Sequence, residues 1–209
     1  MQKFFALGGF IAGAIMIAFG VAVIALGVTA RSTVSTNLKQ EKIVGSADMT
    51  PALIKDEAAT AGLKDVSLPS CDVADKAINT GTRARCFASY MRIHALESSG
   101  GLTYSEMGRY ASADGSPKGT NDATAALQKN GQPVANSARD LWVTETALST
   151  ALNVSFMADQ LALFSVVVGI ALLLSGIGFV VLDYAALHRR RVIAAGQAAA
   201  IQAGKPVVA

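Results

Sequence analysis

Two long apolar runs bracket this 209-residue chain and constrain its fold more than anything between them. Residues 4–30 give 27 positions without a charge, and residues 160–182 give 23 more. A helix rises about 1.5 Å per residue, so each run is long enough to cross a hydrocarbon layer of about 30 Å. In lipid the backbone of a lone segment must satisfy its own hydrogen bonds, which leaves the helix as its only spanning form. The expectation is an all-α protein: a two-pass transmembrane helical hairpin with a small helical extracytoplasmic domain, one long helix continuing into the second span. Residues 1–3 form a cytoplasmic N-terminus, 4–30 the first span, 31–158 the outer domain, 159–187 the second span and 188–209 a basic cytoplasmic tail.

Lysine and arginine close to the spans set orientation. Arg189, Arg190 and Arg191 follow the second run at once, and Lys3 precedes the first. The other flank carries Arg31 and Asp159. Both termini are therefore read as cytoplasmic and the central domain as outside. A pI near 8.9 invites a nucleic-acid reading, but the charge is partitioned. Residues 31–159 hold 13 Lys/Arg against 14 Asp/Glu, so the outer domain is nearly neutral. The surplus lies at the cytoplasmic ends, where it meets anionic lipid. No nucleic-acid partner is expected.

Cys71 and Cys86 are the only cysteines, and both fall in the outer domain. An even count outside the cytosol favours a disulfide over two free buried thiols. Closing that loop would stabilise by about 3 kcal/mol on the chain-entropy estimate. The first run exceeds the apolar core of a signal peptide, which is about 7–15 residues. An uncleaved anchor is expected, although Val28-Thr29-Ala30 offers residues small enough for cleavage.

The spans carry small residues at helical spacing: Gly9 and Gly13 in the first, Ser165 and Gly169 in the second. Such spacing lets helix backbones approach closely in lipid. Packing onto a partner helix and packing between the chain's own spans both remain open. Neither run holds an ionisable residue at mid-membrane, where ion pathways and proton relays normally place one. Asp183 sits at the cytoplasmic edge, near Arg189 to Arg191, and Tyr184 suits the inner headgroup region.

Between the spans, Thr50-Pro51 reads as a helix start running to about Gly62. Leu68-Pro69-Ser70 breaks the chain. A second helix begins near Thr82 and presents Cys86, Phe87, Tyr90, Met91 and His94 on one side, ending at Gly100-Gly101. Thr103 and Glu106 form a capping box for a further helix that fades by Asp114. A short helix is expected over residues 121–129, and little β structure. From Asn136 or Ser137 no Gly or Pro occurs until Gly169, so one helix of roughly 50 residues should carry Leu141, Leu148, Leu152 and Phe156 on a stripe and continue to the arginine cluster. The Ala-rich tail from Val192 can extend it to about Gln202, and Gly204-Lys205-Pro206 stops it.

Chemistry is sparse. His94 and Glu97, three apart on a helix, could share a metal only with carboxylates from elsewhere in the chain; a partly buried His with a carboxylate partner is the plainer expectation. Glu97, Glu106, Arg92 and Arg109 around Gly100-Gly101 read as a charge network between helices. Ser99-Gly100-Gly101 is no phosphate loop, and no Gly-x-Ser-x-Gly, His-Glu-x-x-His or Cys-x-x-Cys is present. Trp142 belongs to a core or an interface. No catalytic residue, metal or cofactor is expected.

The stretch His94-Ala95-Leu96-Glu97-Ser98-Ser99-Gly100-Gly101-Leu102-Thr103-Tyr104-Ser105-Glu106, followed by Arg139-Asp140-Leu141-Trp142-Val143-Thr144-Glu145-Thr146-Ala147-Leu148 and the second span, resembles a group of small two-pass membrane proteins of mycobacteria and related actinobacteria. The resemblance covers residues 4–187. It implies an outer domain facing the actinobacterial periplasm, and it brings no established activity with it. Members often carry the label of an aromatic ring-opening dioxygenase, a soluble class that holds iron with His and carboxylate ligands. Here His94 is outside and His188 is at the inner face, which does not fit that label.

The expected function is a non-catalytic accessory, assembly or stabilising subunit of a larger integral-membrane complex. It would touch membrane lipids and other membrane subunits, and self-association stays open. The alternative is a periplasmic sensor or small-ligand-binding membrane protein.

Overall fold

The computed structural model describes residues 2–202; of residues 2–7, 200 and 201 only the backbone is described. The expected stop at Gly204-Lys205-Pro206 lies outside the described residues, and so does the side chain of Lys3. The chain divides into two compact units, Met1–Thr29 with Leu161–Ala209, and Ala30–Gln160.

The first unit is built from the start of α1 (Gln2–Gln40) and the end of α4 (Ser137–Gln202), both long and apolar enough to cross a membrane. Small residues recur every seven positions along their contact: Gly13, Gly20 and Gly27 on α1, and Ala162, Gly169 and Gly176 on α4. A Cβ on Gly13 would lie 2.8 Å from the Gly176 carbonyl oxygen, one on Gly20 2.8 Å from that of Gly169, and one on Gly27 2.7 Å from that of Ala162. Rising numbers on α1 meet falling numbers on α4, so the helices run antiparallel. A strict seven-residue repeat keeps a seam in register only when helices coil left-handedly. Bulky residues point outward, among them Phe19, Leu26, Phe164 and Leu174.

This seam yields a direct test. Gly20→Val is expected to push the two backbones apart, costing about 1–3 kcal/mol as an overpacked contact does. Gly8→Val, at a position with nothing within 4 Å, is the control and should be neutral. Equal thermal midpoints for both variants in detergent would contradict the seam.

The second unit surrounds α3 (Gly81–Ser98), whose buried face includes Ala84, Phe87, Tyr90 and Ile93. The Thr80 hydroxyl caps its start by accepting from Arg83 N. A Schellman turn ends it: Gly101 N donates to Leu96 O at 2.7 Å and Gly100 N to Glu97 O at 3.1 Å. Both glycines have positive φ, +66° and +80°, which side chains disfavour. Helix α2 (Pro51–Thr60) packs on α3 through Ile54 and Ala58, with Thr50 as N-cap and Pro51 in the first turn. The irregular stretch after α2 is tied down twice. Cys71 is disulfide-bonded to Cys86 on α3, and the Tyr90 hydroxyl donates to Cys71 O at 2.6 Å.

Three expectations are corrected here. No helix follows the Thr103–Glu106 box beyond one 3-10 turn, Tyr104–Glu106, because the chain turns extended at Met107. Residues 121–129 form no helix. They lead into a two-stranded ribbon, β1 (Gln128–Lys129) and β2 (Gln132–Pro133), joined by Asn130-Gly131. Both turn residues have positive φ, 52° and 75°, as the commonest tight hairpin turn requires. The stripe on α4 is corrected at one end: Leu152 is buried and Leu148 and Phe156 are half-buried, but Leu141 is exposed, and Trp142, Glu145 and Asp159 are buried beside them.

Asn136 caps α4: its Oδ1 accepts from Ala138 N, and its buried amide donates to Gly108 O. The helix runs over 66 residues and carries on through the Ala-rich tail to Gln202, as expected. Helix α1 overruns its apolar segment by ten positions, to Gln40, so that Val34 and Leu38 join the core.

Candidate functional site

The most unusual chemistry of the second unit lies where α2 meets α3. His94 comes from the half-buried flank of α3, Glu57 from the α3-facing side of α2, and Asp48 from the turn that precedes α2. His94 Nε2 is 3.4 Å from Asp48 Oδ2 and 3.7 Å from Glu57 Oε2. Both exceed an ordinary hydrogen bond. Consistently, His94 Nε2, Glu57 Oε2 and Asp48 Oδ1 are buried without a hydrogen-bond partner among the described residues. One ligand atom from each of the three residues lies within 4.8 Å of the others.

The electrostatics are those of crowded acids. Burial, followed by a hydrogen bond to the Glu97 carboxyl, raises Glu57 above the usual carboxylate range, and the negative charges of Glu97 and Asp48 push the same way. The imidazole of His94 opposes them. The expectation of a partly buried His94 beside a carboxylate fits this geometry. Spacing on α3 pointed only to Glu97. Asp48 and Glu57 precede His94 by 46 and 37 positions, and no local signal links them.

The other singled-out residues have clear places. Cys71 and Cys86 form the disulfide. Glu106 Oε2 accepts from the Thr103 amide at 2.7 Å and hydroxyl at 2.6 Å, and these bonds hold its carboxyl below the ordinary range. The charge network expected around Gly100-Gly101 is not formed. Arg92 instead lies over the Trp142 ring, Arg109 over Tyr110, and Glu97 turns to Glu57. Gly13 and Gly169 are occupied by the chain's own helix pairing, and Gly9 lies under the Asp183 carboxylate, leaving these positions closed to a partner helix. Ser165 donates to Leu161 O within its own helix. Arg189, Arg190 and Arg191 are exposed on α4.

A second polar feature was missed entirely from the sequence. Asp159 is buried and accepts from Arg31 Nε at 3.0 Å. Gly81 makes room beside it: a Cβ there would lie 2.7 Å from Asp159 Cβ and 2.9 Å from Phe156 Cα. Arg31 and Asp159 were seen only as flanking charges that orient the spans. One cleft of this unit, of about 330 Å³, is lined mainly by Leu38, Ile43, Leu148 and Leu152, with Glu41 and Asn37 also on its wall.

Comparison with known protein families, curated proteins and solved structures returned no match. The class defined by the structure itself is a mostly helical protein with two helices long and apolar enough to span a membrane and a disulfide-bonded second unit.

Proposed function

We propose that this chain is a non-catalytic accessory, assembly or stabilising subunit of a larger integral-membrane complex. In this reading α1 and α4 cross the membrane, both termini are cytoplasmic, and residues 30–160 lie on the outer side. The observation that carries it is the outward apolar surface of the first unit. Phe10, Phe19, Leu26, Phe164, Leu174 and Phe179 are exposed there. A continuous apolar surface of this kind normally belongs against lipid or another protein. The small-residue seam is satisfied within the chain, so contact with partner subunits would use these bulky faces and the disulfide-held unit. Arg189 to Arg191 support a cytoplasmic C-terminus through the charge bias of membrane insertion.

Affinity purification of the tagged chain from its native membranes in mild detergent, followed by mass spectrometry, tests this. The expected result is a co-migrating, stoichiometric set of membrane proteins. A lone monomer, with no partner captured by cross-linking in intact membranes, would contradict it. A second reading, a sensor or small-ligand-binding membrane protein, is favoured by the apolar-lined cleft beside Leu38 and Leu152. Ligand-induced thermal stabilisation of the full chain, abolished by Leu152→Trp, would favour that reading instead.

A further inference from the structure

We infer that Asp48, Glu57 and His94 form a binding site for a divalent transition-metal ion of the zinc class. The site stands apart from the proposed accessory role and does not depend on it.

The donor set comes first. An imidazole nitrogen with two carboxylate oxygens is a mixed N/O set that suits Zn²⁺, whereas Mg²⁺ and Ca²⁺ favour oxygen alone. Geometry comes second. Two ligands about 2.0–2.1 Å from a tetrahedral ion are separated by about 3.3–3.4 Å. The His94–Asp48 separation is 3.4 Å and the His94–Glu57 separation is 3.7 Å. These spacings are poor for hydrogen bonds and close to the edges of a coordination shell.

The third observation is that the inward atoms are buried and lack hydrogen-bond partners among the described residues. His94 Nε2 and Glu57 Oε2, the same atoms that define those edges, are buried with no hydrogen bond among the described residues. Buried polar atoms are nearly always satisfied in native proteins, and an unsatisfied one is commonly a sign of a missing water or ion. Two such atoms 3.7 Å apart, with a carboxylate oxygen of Asp48 3.4 Å from one of them, are met most simply by one cation. Charge agrees: Asp48, Glu57 and nearby Glu97 bring three carboxyls to a single imidazole. The framework is also well held, since His94 follows the buried Ile93 and Tyr90 on α3, and Glu57 precedes the buried Ala58 on α2. Three protein ligands leave a fourth position for water or for Glu97. The ion would join the chain leaving α1 to both α2 and α3, a second cross-link beside the disulfide.

The test uses the full chain in detergent, stripped with EDTA and returned to chelator-free buffer at pH 7.5, with ZnCl₂ alone as probe. Calorimetric titration should show one Zn²⁺ per chain, and the thermal midpoint should rise by several degrees. MgCl₂ should produce neither effect. His94→Ala and the near-isosteric Asp48→Asn should each weaken Zn²⁺ binding by about 100-fold or more. Circular dichroism of Asp48→Asn guards against a folding defect. Asp72→Asn, which removes an exposed acid outside the cluster, should bind as the parent does. Absence of Zn²⁺ binding by the parent would overturn the inference and leave the cluster as a histidine beside two carboxyl groups. Binding undiminished in both His94→Ala and Asp48→Asn would overturn it equally, as an adventitious ion only.

Discussion

Trp142→Ala is expected to destabilise the 30–160 unit by about 3–5 kcal/mol, the range for deleting a buried large aromatic side chain. Trp142 is only 4% exposed at the start of α4. Its indole N–H donates to Leu102 O at 2.8 Å and approaches Ser99 Oγ at 3.3 Å. Ser99, itself 1% exposed, also donates to Leu102 O. One ring therefore joins α4 to the turn that ends α3, and the Arg92 guanidinium covers it at 5.3 Å. Trp142→Phe keeps most of the apolar volume and loses the N–H, so its cost should be near that of one buried hydrogen bond, about 1–2 kcal/mol. Denaturant titration of the two variants measures the difference. Equal losses would mean that the ring's volume contributes little, against the packing described above.

The second large effect is loss of the disulfide. Cys71 and Cys86 close a loop with a sequence separation of 15, and the chain-entropy estimate for that length is about 3 kcal/mol. Cys71→Ala should show that loss nearly alone, because Cys71 is exposed. Cys86→Ser should cost more, because position 86 is 5% exposed on α3 and the new hydroxyl would be buried in the core. Thermal midpoints with and without reductant separate the two contributions. Reductant should lower the parent and leave both variants unchanged. A parent insensitive to reductant while unfolded would show that the bond is not formed.

Local signals were legible where one residue type solves one problem. Thr50-Pro51 and Asn136 mark helix starts through their caps, and Gly100-Gly101 marks a helix end through positive φ. The absence of Gly and Pro from residue 137 to 168 makes α4 continuous. After Thr103 the capping box points to a helix that the chain does not continue. Capping supplies a start, but no apolar stripe follows Glu106 to pay for continuing. In the same stretch Asn130-Gly131 is a hairpin signal that the sequence carries openly.

The seven-residue glycine repeat was also present in the sequence, at 13, 20 and 27 and at 169 and 176. The four-residue spacing from Gly9 to Gly13 competes with it as a packing signal. Only the pairing of α1 with α4 shows which period is used. The Asp48, Glu57 and His94 cluster belongs to a different category. Its members lie on a turn and two helices, and their meeting depends on how α2 packs against α3 through Ile54 and Ala58. No spacing rule reaches across that contact. Asp159 makes the same point: a charge beside an apolar run reads as a membrane flank, and its burial against Arg31 and Gly81 is a tertiary fact.

The central claim is that the membrane is crossed twice, with residues 30–160 outside. Single cysteines introduced at two exposed positions, Asp114→Cys and Gln197→Cys, test it most directly when each is probed in intact cells with a membrane-impermeant maleimide. The account predicts labelling at position 114 without permeabilisation, labelling at position 197 only after it, and retention of the protein in membranes washed at alkaline pH. Labelling of both positions in intact cells, the reverse pattern, or release by the alkaline wash would contradict it.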